Sequence, residues 1–201
     1  MKALILTLVA LKALIITLAA LPLQASAATP PVRWNGSSEI QFSGTSTLHE
    51  WGGKVAAQPF TVMVTPDASG QPSSLEATVQ VKVAGMDTAE PDRDKNLRKA
   101  MNATGFPLIT GTLNAPFSSL VDAHTKQPAA LPLTLELLGR KQSVPARISH
   151  WEATDRAATF DLDFDLSLKK CGITVPTVLF IIHVGDAIKL HATVKLVRSN
   201  D

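Results

Sequence analysis

The chain has 201 residues, of which 45% are hydrophobic and 18% are charged. This size and composition suit one domain of ordinary size with a substantial core. The net charge is +2, and no basic run concentrates it. That balance argues against a nucleic-acid partner and against strong attraction to anionic lipid headgroups, because both need clustered positive charge.

The N-terminal segment has the features of a signal peptide. Lys2 supplies a basic start, Leu4 to Leu23 are almost all apolar, and Ala25-Ser26-Ala27 is a small-residue cleavage site. We therefore expect residues 1–27 to be removed on export to the periplasm, which leaves a domain over residues 28–201 with 17 basic and 17 acidic side chains. The alternative is an uncleaved membrane anchor. A lipoprotein anchor is not expected, because no cysteine follows the apolar run.

Apolar and polar residues alternate along most of the remaining chain. Phe160, Leu162 and Phe164, for example, alternate with Asp161 and Asp163, and this period of two predicts a half-buried antiparallel strand. The same pattern predicts about eight strands, which in chain order are Glu39–Thr45, Lys54–Thr65, Leu75–Val83, Leu108–Phe117, Leu131–Leu138, Val144–Trp151, Phe160–Leu168 and Ile188–Leu196.

One short helix is predicted between the third and fourth strands. Pro91 suits a first helical position, because it has no N–H to lose and its φ is already near helical. Acidic residues follow it, basic residues come later, and Gly105 ends the segment. We predict a helix near residues 91–103 that lays Leu97 and Met101 on an apolar surface.

Strands with one polar face must either stack as two sheets or close on themselves, and alternation alone does not choose between sandwich and barrel. The decisive question is whether the interior is full. Its candidate side chains are mostly Val, Leu and Ala, and the chain has no tyrosine. A ligand in such an interior would have to be mainly hydrocarbon, since these side chains offer no hydrogen-bond partners.

Several short motifs resemble the signature of the YceI-like family. The segment around the predicted helix carries the most specific ones, and the strands carry weaker ones. The matching pieces are Asp87-Thr88, Arg93-Asp94, Leu97-Arg98, Phe106-Pro107, Ser46-Thr47-Leu48-His49, Leu133-Thr134-Leu135 and Gly185-Asp186 with the strand that follows. The resemblance implies an all-β, exported, lipocalin-like up-and-down barrel of about eight antiparallel strands that binds polyisoprenoids and related lipids. The chain departs from the family at Gly52-Gly53, where two glycines indicate a bulge or tight bend.

The resemblance and the alternation together suggest a lipid-binding set on the apolar face and at the barrel mouth. Its members are Phe42, His49, Val79, Val81, Arg93, Leu97, Arg98, Met101, Phe106, Phe164, Leu190 and Val194. Arg93 and Arg98 would rim the opening and meet a polar head. The alternative is that Asp94 and Arg98 form an exposed helical pair. His49 either satisfies polar groups of the barrel or contacts the ligand.

The sequence carries no recognisable catalytic or metal site. It has no G-x-S-x-G motif, and its histidines and single cysteine lack the short spacings of metal motifs. The row Asp161, Asp163 and Asp165 is expected to be a solvated outer face rather than a calcium site. Cys171 is expected to be a buried apolar filler rather than a reactive thiol. We therefore expect no enzyme activity, no metal and no cofactor other than a bound lipid.

The predicted function is to sequester or carry a polyisoprenoid, quinone-like or polyprenyl, or a similar long-chain amphiphile. This function makes or breaks no covalent bond. Transient contact with a membrane or a membrane protein is compatible with it, and so is a dimer, while a nucleic-acid partner is not. The alternative is a side-chain-filled barrel that serves as a structural or protein-interaction module in envelope stress.

Overall fold

The computed structural model describes residues 29–122, 124–125, 127–173 and 184–200. The predicted signal peptide, residues 1–27, lies outside the described residues. The regular elements of the described part are strands β1 (Val32–Ser46), β2 (Glu50–Ala56), β3 (Phe60–Pro66) and β4 (Pro72–Lys82), a 3-10 turn (Val83–Gly85), helix α1 (Pro91–Ala100), strand β5 (Leu108–Pro116), a 3-10 turn (Phe117–Ser119), and strands β6 (Ala130–Leu137), β7 (Arg140–Ala153), β8 (Ala157–Ser167) and β9 (Val184–Arg198).

The strands close into an antiparallel barrel. Each strand from β3 to β8 pairs with the next one along the chain, and β1 completes the circle by pairing with β9. On its other edge, β1 pairs with β3 through residues 32–36 and with β2 through residues 39–45. Because β2 and β3 share one place beside β1, nine strands fill eight positions. The predicted up-and-down barrel of about eight strands is confirmed.

The break between β2 and β3 corrects the prediction of one continuous strand over Lys54–Thr65. The Ala57 N–H still bonds to β1, at the Ser38 carbonyl (2.9 Å), but the next N–H, that of Gln58, bonds to the Gln80 carbonyl of β4 at 2.8 Å. Pro59 then has no N–H to offer a ladder. The strand therefore bends at residues 57–59 and continues as β3.

The predicted bulge at Gly52-Gly53 is wrong. β2 pairs with β1 in unbroken register from Glu50 to Ala56, so the glycines lie in regular strand. A Cβ at Gly53 would stand 2.7 Å from the Asp87 carbonyl oxygen and would also collide with the ring of Phe42. The glycine is needed because another backbone segment and an aromatic ring approach closely, not because the strand bends.

The β6–β7 connection is a two-residue hairpin. Leu138 and Gly139 both have positive φ, 49° and 71°, and Leu137 pairs with Arg140 on either side of them. Two consecutive residues in this region form the turn whose twist matches that of antiparallel strands. The two turn residues are therefore Leu138 and Gly139.

Helix α1 lies across one end of the barrel, which we call the helix end; the other is the opposite end. Pro91 is the first helical residue, as predicted, and the helix ends at Ala100, three residues earlier than expected. Leu97 and Met101 pack against the apolar cluster of Val83, Leu135 and Leu137. Within the described ranges, no helix combines the length and apolar character needed to cross a membrane.

Candidate functional site

A cavity of about 520 Å³ runs along the inside of the barrel. Side chains from all nine strands and from α1 line it. It extends from Ser46 and Val184 at the helix end to Phe117 and Pro128 at the opposite end. Its volume falls within the range of about 300–1,000 Å³ that encloses a ligand of moderate size.

The predicted alternation places the apolar side chains of β8 and β9 on this cavity. Phe160 lies opposite Val194, Leu162 opposite Ala192 and Phe164 opposite Leu190, and all six residues line the cavity. Each pair shares the inner face because successive residues of a strand point to opposite sides. The inner wall formed by these two strands is therefore entirely hydrocarbon.

Space remains inside because small residues stand among the large ones. On β4 and β5, Val79 faces Gly111 and Ala77 faces Leu113, and these four residues line the cavity together with Ala192 of β9. Positions without a long side chain leave the centre of an eight-position barrel partly unfilled, in a fold whose interior is otherwise just wide enough to be filled.

The charged and amide groups among the described lining residues all lie at the helix end. Arg93 and Asn96 come from α1, and His49 comes from the loop between β1 and β2. The Ser46 hydroxyl donates to the His49 carbonyl at 2.8 Å, and the His49 N–H returns a bond to the same hydroxyl at 3.2 Å. His49 and Asn96 are solvent-exposed, so the cavity meets water at this end, beside groups that can bind a polar head.

The motif residues before the helix hold α1 in place. The carboxylate of Asp94 accepts bonds from the hydroxyl of buried Thr88 at 2.6 Å and from its backbone N–H at 2.9 Å. These two bonds, with the charges of Arg98 and Arg93 nearby, lower the pKa of Asp94. Asp94 is thus held by Thr88 rather than used only in an exposed pair with Arg98. The motif orients the helix so that Arg93 reaches the cavity.

The carboxylates of β8 lie on the outer face, as predicted for Asp161 and Asp163. Asp161 accepts from the Thr193 hydroxyl at 2.9 Å and lies 2.9 Å from Nδ1 of His150. Asp163 lies 2.9 Å from Nδ1 of His191. Among the residues that the structure describes, no group of three or more His, Cys, Asp or Glu side chains is placed to hold a metal ion.

Cys171 is a buried, free thiol, as predicted, and it lies in the cavity wall. Its Sγ is 2.7 Å from Nε2 of Gln142. Burial raises the pKa of the Cys171 thiol despite that hydrogen bond. The group is therefore a neutral part of the lining, and its position on the cavity was not expected from the sequence.

Ten of the twelve residues predicted for the lipid-binding set line the cavity: Phe42, His49, Val79, Val81, Arg93, Leu97, Met101, Phe164, Leu190 and Val194. Arg98 and Phe106 do not line it. Arg98 is half-buried on the helix, and Phe106 is 39% exposed at the end of the turn that follows. Whether the ten bind lipid stays a prediction.

Several aromatic lining residues were not predicted from the sequence, among them Trp51, Phe60 and Trp151. Trp151 shows why. Buried Val144 and Ile148 set the inward phase of β7, which would point His150 inward. The register with β8 shifts between Ser149 and Glu152, and His150 has a φ of 50°. This bulge turns His150 outward and Trp151 inward, against Phe160 at a ring distance of 5.2 Å.

Comparison with known proteins gives one family. A family model described as a YceI-like domain matches residues 34–196. The crystal structure of Burkholderia cenocepacia BcnA aligns over 79% of this chain and 95% of its own, at 14% identity and a TM-score of 0.59. A polyisoprenoid-binding domain from Saccharophagus degradans, implicated in plant cell wall breakdown, aligns over 82% and 98%, at 8% identity and a TM-score of 0.59. No curated protein matches the sequence. At these identities the two structures support the fold alone.

Proposed function

The chain belongs to the YceI-like family, and we propose that it binds a polyisoprenoid or a similar long-chain amphiphile inside its barrel. It sequesters or carries this lipid outside the cytoplasm and makes or breaks no bond. The observation that carries the proposal is the apolar cavity of about 520 Å³. The binding activity in the name of the similar Saccharophagus degradans domain agrees with it.

The energetics favour a ligand that is mainly hydrocarbon. Burial of a methylene away from water contributes about 0.8 kcal/mol, so about ten of them contribute about 8 kcal/mol. Association costs about 4–15 kcal/mol, so a long apolar tail could be held without a charged anchor. The same tail in a membrane already lies in hydrocarbon, so most of this gain cancels on extraction. Selectivity among lipids then depends on the length and shape of the cavity.

The polar groups at the helix end suggest the orientation of the ligand. A polar head placed there would meet the guanidinium of Arg93, the imidazole of His49 and the amide of Asn96, all of which line the cavity. The tail would then extend along β8 and β9 toward the opposite end. The reverse orientation would put the head among Phe160, Leu196 and their apolar neighbours, where it would lose its hydrogen bonds to water.

The alternative of a side-chain-filled barrel requires a solid interior. The cavity does not meet that requirement, because its space runs between side chains from all nine strands. The open interior therefore favours a lipid-binding role over a side-chain-filled structural or protein-interaction module.

Native mass spectrometry and organic extraction of the protein purified from its own host test the proposal. We expect a co-purified lipid at about one molecule per chain, in accord with a single enclosed site. Extraction should identify its class. A protein that repeatedly carries no lipid, and takes up none from its host membranes, would contradict the proposed function.

Val79→Trp and Thr78→Trp form a matched pair for the same measurement. Val79 lines the cavity opposite Gly111, which leaves room for a larger ring, whereas the side chain of Thr78 is exposed on the outer face. We expect Val79→Trp to fold and to lose most of its lipid, because the indole occupies the space of the tail. Thr78→Trp should keep the lipid of the unmodified chain. Equal lipid content in both folded variants would exclude this part of the cavity as the site.

The exported location is a separate proposal that rests on the N-terminal segment. If residues 1–27 are a cleaved signal peptide, the protein in a periplasmic extract should begin at Ala28. Intact-mass measurement of that extract checks this. A chain that retains residues 1–27 in the membrane fraction would support the anchor instead.

A further inference from the structure

Most of the exposed large hydrophobic side chains of the described residues lie at the helix end. Four such side chains are exposed in the described part of the chain: Leu48 at 64%, Phe106 at 39%, Leu108 at 36% and Val197 at 58%. The first three lie at the helix end, and Val197 lies near the end of β9 at the opposite end. Exposed apolar side chains gathered around one opening are a common mark of an interaction surface.

Phe106 lies beside a segment that carries basic residues. Its ring lies against Gly139, where an added Cβ would stand 3.3 Å from the ring edge. The next residue, Arg140, lays its guanidinium over Gly172, where an added Cβ would stand 2.6 Å from Nε. Lys170 is two residues before Gly172 and is exposed. Phe106, Arg140 and Lys170 thus lie on one continuous surface.

We define the basic face as the group of six helix-end residues on this side: Arg98, Lys99, Phe106, Arg140, Lys169 and Lys170. All but the half-buried Arg98 are exposed. None of the six lines the cavity, so the basic face lies around the mouth rather than in it.

Acidic groups offset only part of this charge. Asp186 accepts from the Lys169 N–H at 2.8 Å and from the Ser167 hydroxyl at 2.7 Å. These bonds, with the charges of Lys169 and Lys170, lower the pKa of Asp186. Asp186 therefore stays ionised and neutralises one of the five cationic side chains. Glu136 lies 3.8 Å from Lys141, which is outside the basic face.

The other acidic side chains of the helix end lie in three places: at the start of α1, in the segment before it, and at the start of β2. They are Asp92, Asp94, Asp87, Glu90 and Glu50. Asp94 is one helical turn from Arg98 and interacts with its charge. The excess positive charge of the basic face therefore comes from Lys99, Arg140, Lys169 and Lys170, less the one negative charge of Asp186. The chain is nearly neutral as a whole, but its charges are segregated in space.

We propose that the basic face docks on an anionic lipid surface, with Phe106 entering the headgroup region and the cavity mouth facing the bilayer. Charge complementarity selects this partner, because several clustered lysines and arginines with an apolar side chain between them suit anionic headgroups over a boundary of hydrocarbon. The docking goes beyond ligand binding: it gives a lipid tail a path from the bilayer to the cavity that avoids water. It does not require the cavity to be occupied.

Vesicle co-sedimentation at low ionic strength tests the docking. One set of vesicles holds equal parts of phosphatidylglycerol and phosphatidylcholine, and the other holds phosphatidylcholine alone. We expect the unmodified protein to bind only the first set and to dissociate as salt is added, because salt screens the charges. Equal binding to both sets, or binding that salt does not weaken, would overturn the proposal without the use of any variant.

A double charge reversal localises the contact. Lys169→Glu with Lys170→Glu should weaken binding to the anionic vesicles by about thirtyfold or more, since each basic residue at the surface contributes about 1 kcal/mol. The matched control is Arg156→Glu with Lys195→Glu, which changes the net charge equally on exposed residues away from the helix end. The control should bind like the unmodified chain. Equal loss in both pairs would mean that only net charge matters and would overturn the docking face.

The lipid content of the same variants separates this proposal from the proposed function. Lys169 and Lys170 do not line the cavity, so lipid already bound in the host should be retained in the double variant. Loss of vesicle binding with retained lipid supports the docking face. Phe106→Ser should weaken vesicle binding severalfold without changing its salt dependence, because it removes the apolar part alone. A Phe106→Ser protein that binds as tightly as the unmodified chain would exclude the insertion of this ring.

Discussion

The inner and outer faces of strand β8 share one backbone but have opposite chemistry. Phe160, Leu162 and Phe164 face the cavity, where they meet other hydrocarbon and empty space. Asp161 and Asp163, between them, point outward and pair with histidines of β7 and β9. The inner face of β8 therefore has no polar partners, whereas the carboxylates of its outer face are hydrogen-bonded. We expect substitutions on the two faces to have very different effects on stability.

The largest difference is expected between Leu162→Asp and Asp163→Leu. Leu162 is 7% exposed in the main apolar cluster, so a carboxylate there loses packing and is buried without a partner. This should lower the free energy of unfolding by at least about 4 kcal/mol. Asp163→Leu removes exposed contacts with His191 and Arg147. It should change the free energy of unfolding by about 1 kcal/mol or less.

Urea unfolding followed by circular dichroism measures both variants. The unmodified chain should be studied with and without its extracted lipid, because a bound ligand adds to apparent stability. Similar losses of stability in Leu162→Asp and Asp163→Leu would mean that the inner face is not a dry apolar wall. That result would also weaken the proposed lipid site.

A smaller difference between the cavity wall and the outer face is expected in the reactivity of a thiol placed on each. Cys171 is buried in the cavity wall and its pKa is raised by that burial, so few thiolates are available for reaction at neutral pH. A Thr78→Cys variant in a Cys171→Ala background places the thiol on the exposed outer face of β4. Native Cys171 should react with a maleimide on the order of tenfold or more slowly than this outer thiol. Equal rates for the two thiols would show that the helix end opens readily.

The smallest effect is expected at Asp161 and depends on pH. Burial alone would raise the pKa of Asp161, but the hydrogen bonds from Thr193 and His150, with the charges of His191 and His150, lower it overall. A carboxyl whose folded pKa is depressed stabilises the fold above its unfolded value, and this contribution is lost as pH falls through the folded pKa.

Urea midpoints across pH, compared between the unmodified chain and Asp161→Asn, check this sign. The unmodified chain should be more stable than Asp161→Asn at roughly pH 6. The difference between their urea midpoints should become smaller below roughly pH 4. A gap that stays constant as the carboxyl is protonated would contradict a role for the ionised form of Asp161.

The strands and their faces were largely predictable from the sequence. Successive side chains of a strand point to opposite sides, so a period of two separates an inner from an outer face. Alternation placed Val79, Val81, Leu190 and Val194 on the apolar faces of their strands, and all four line the cavity. Pro91 was likewise predicted as a helix start from its backbone restriction alone, and it is the first residue of α1.

The errors fall where a contact distant in the chain overrides a local pattern. Two glycines at Gly52-Gly53 predict a bulge, but the structure shows that Gly53 is required by the close approach of Phe42 and Asp87. Strand alternation predicts that Trp151 points outward, but the bulge at His150 shifts the phase of β7 and turns it inward. The spacing of residues along the chain does not predict these two features, because each depends on which side chains meet across strands.

Where the strands run without a bulge, alternation of apolar and polar residues was enough to determine which side turns away from water, because a strand side chain has only two directions available. Only the tertiary structure decided that the apolar sides enclose unfilled space, since the volume depends on how small residues such as Ala77, Gly111 and Ala192 are set against one another. It also decided that Lys170, Arg140 and Phe106 share one surface. Volume and charge clusters arise from distances between residues far apart in the chain, and those distances exist only once the barrel has closed.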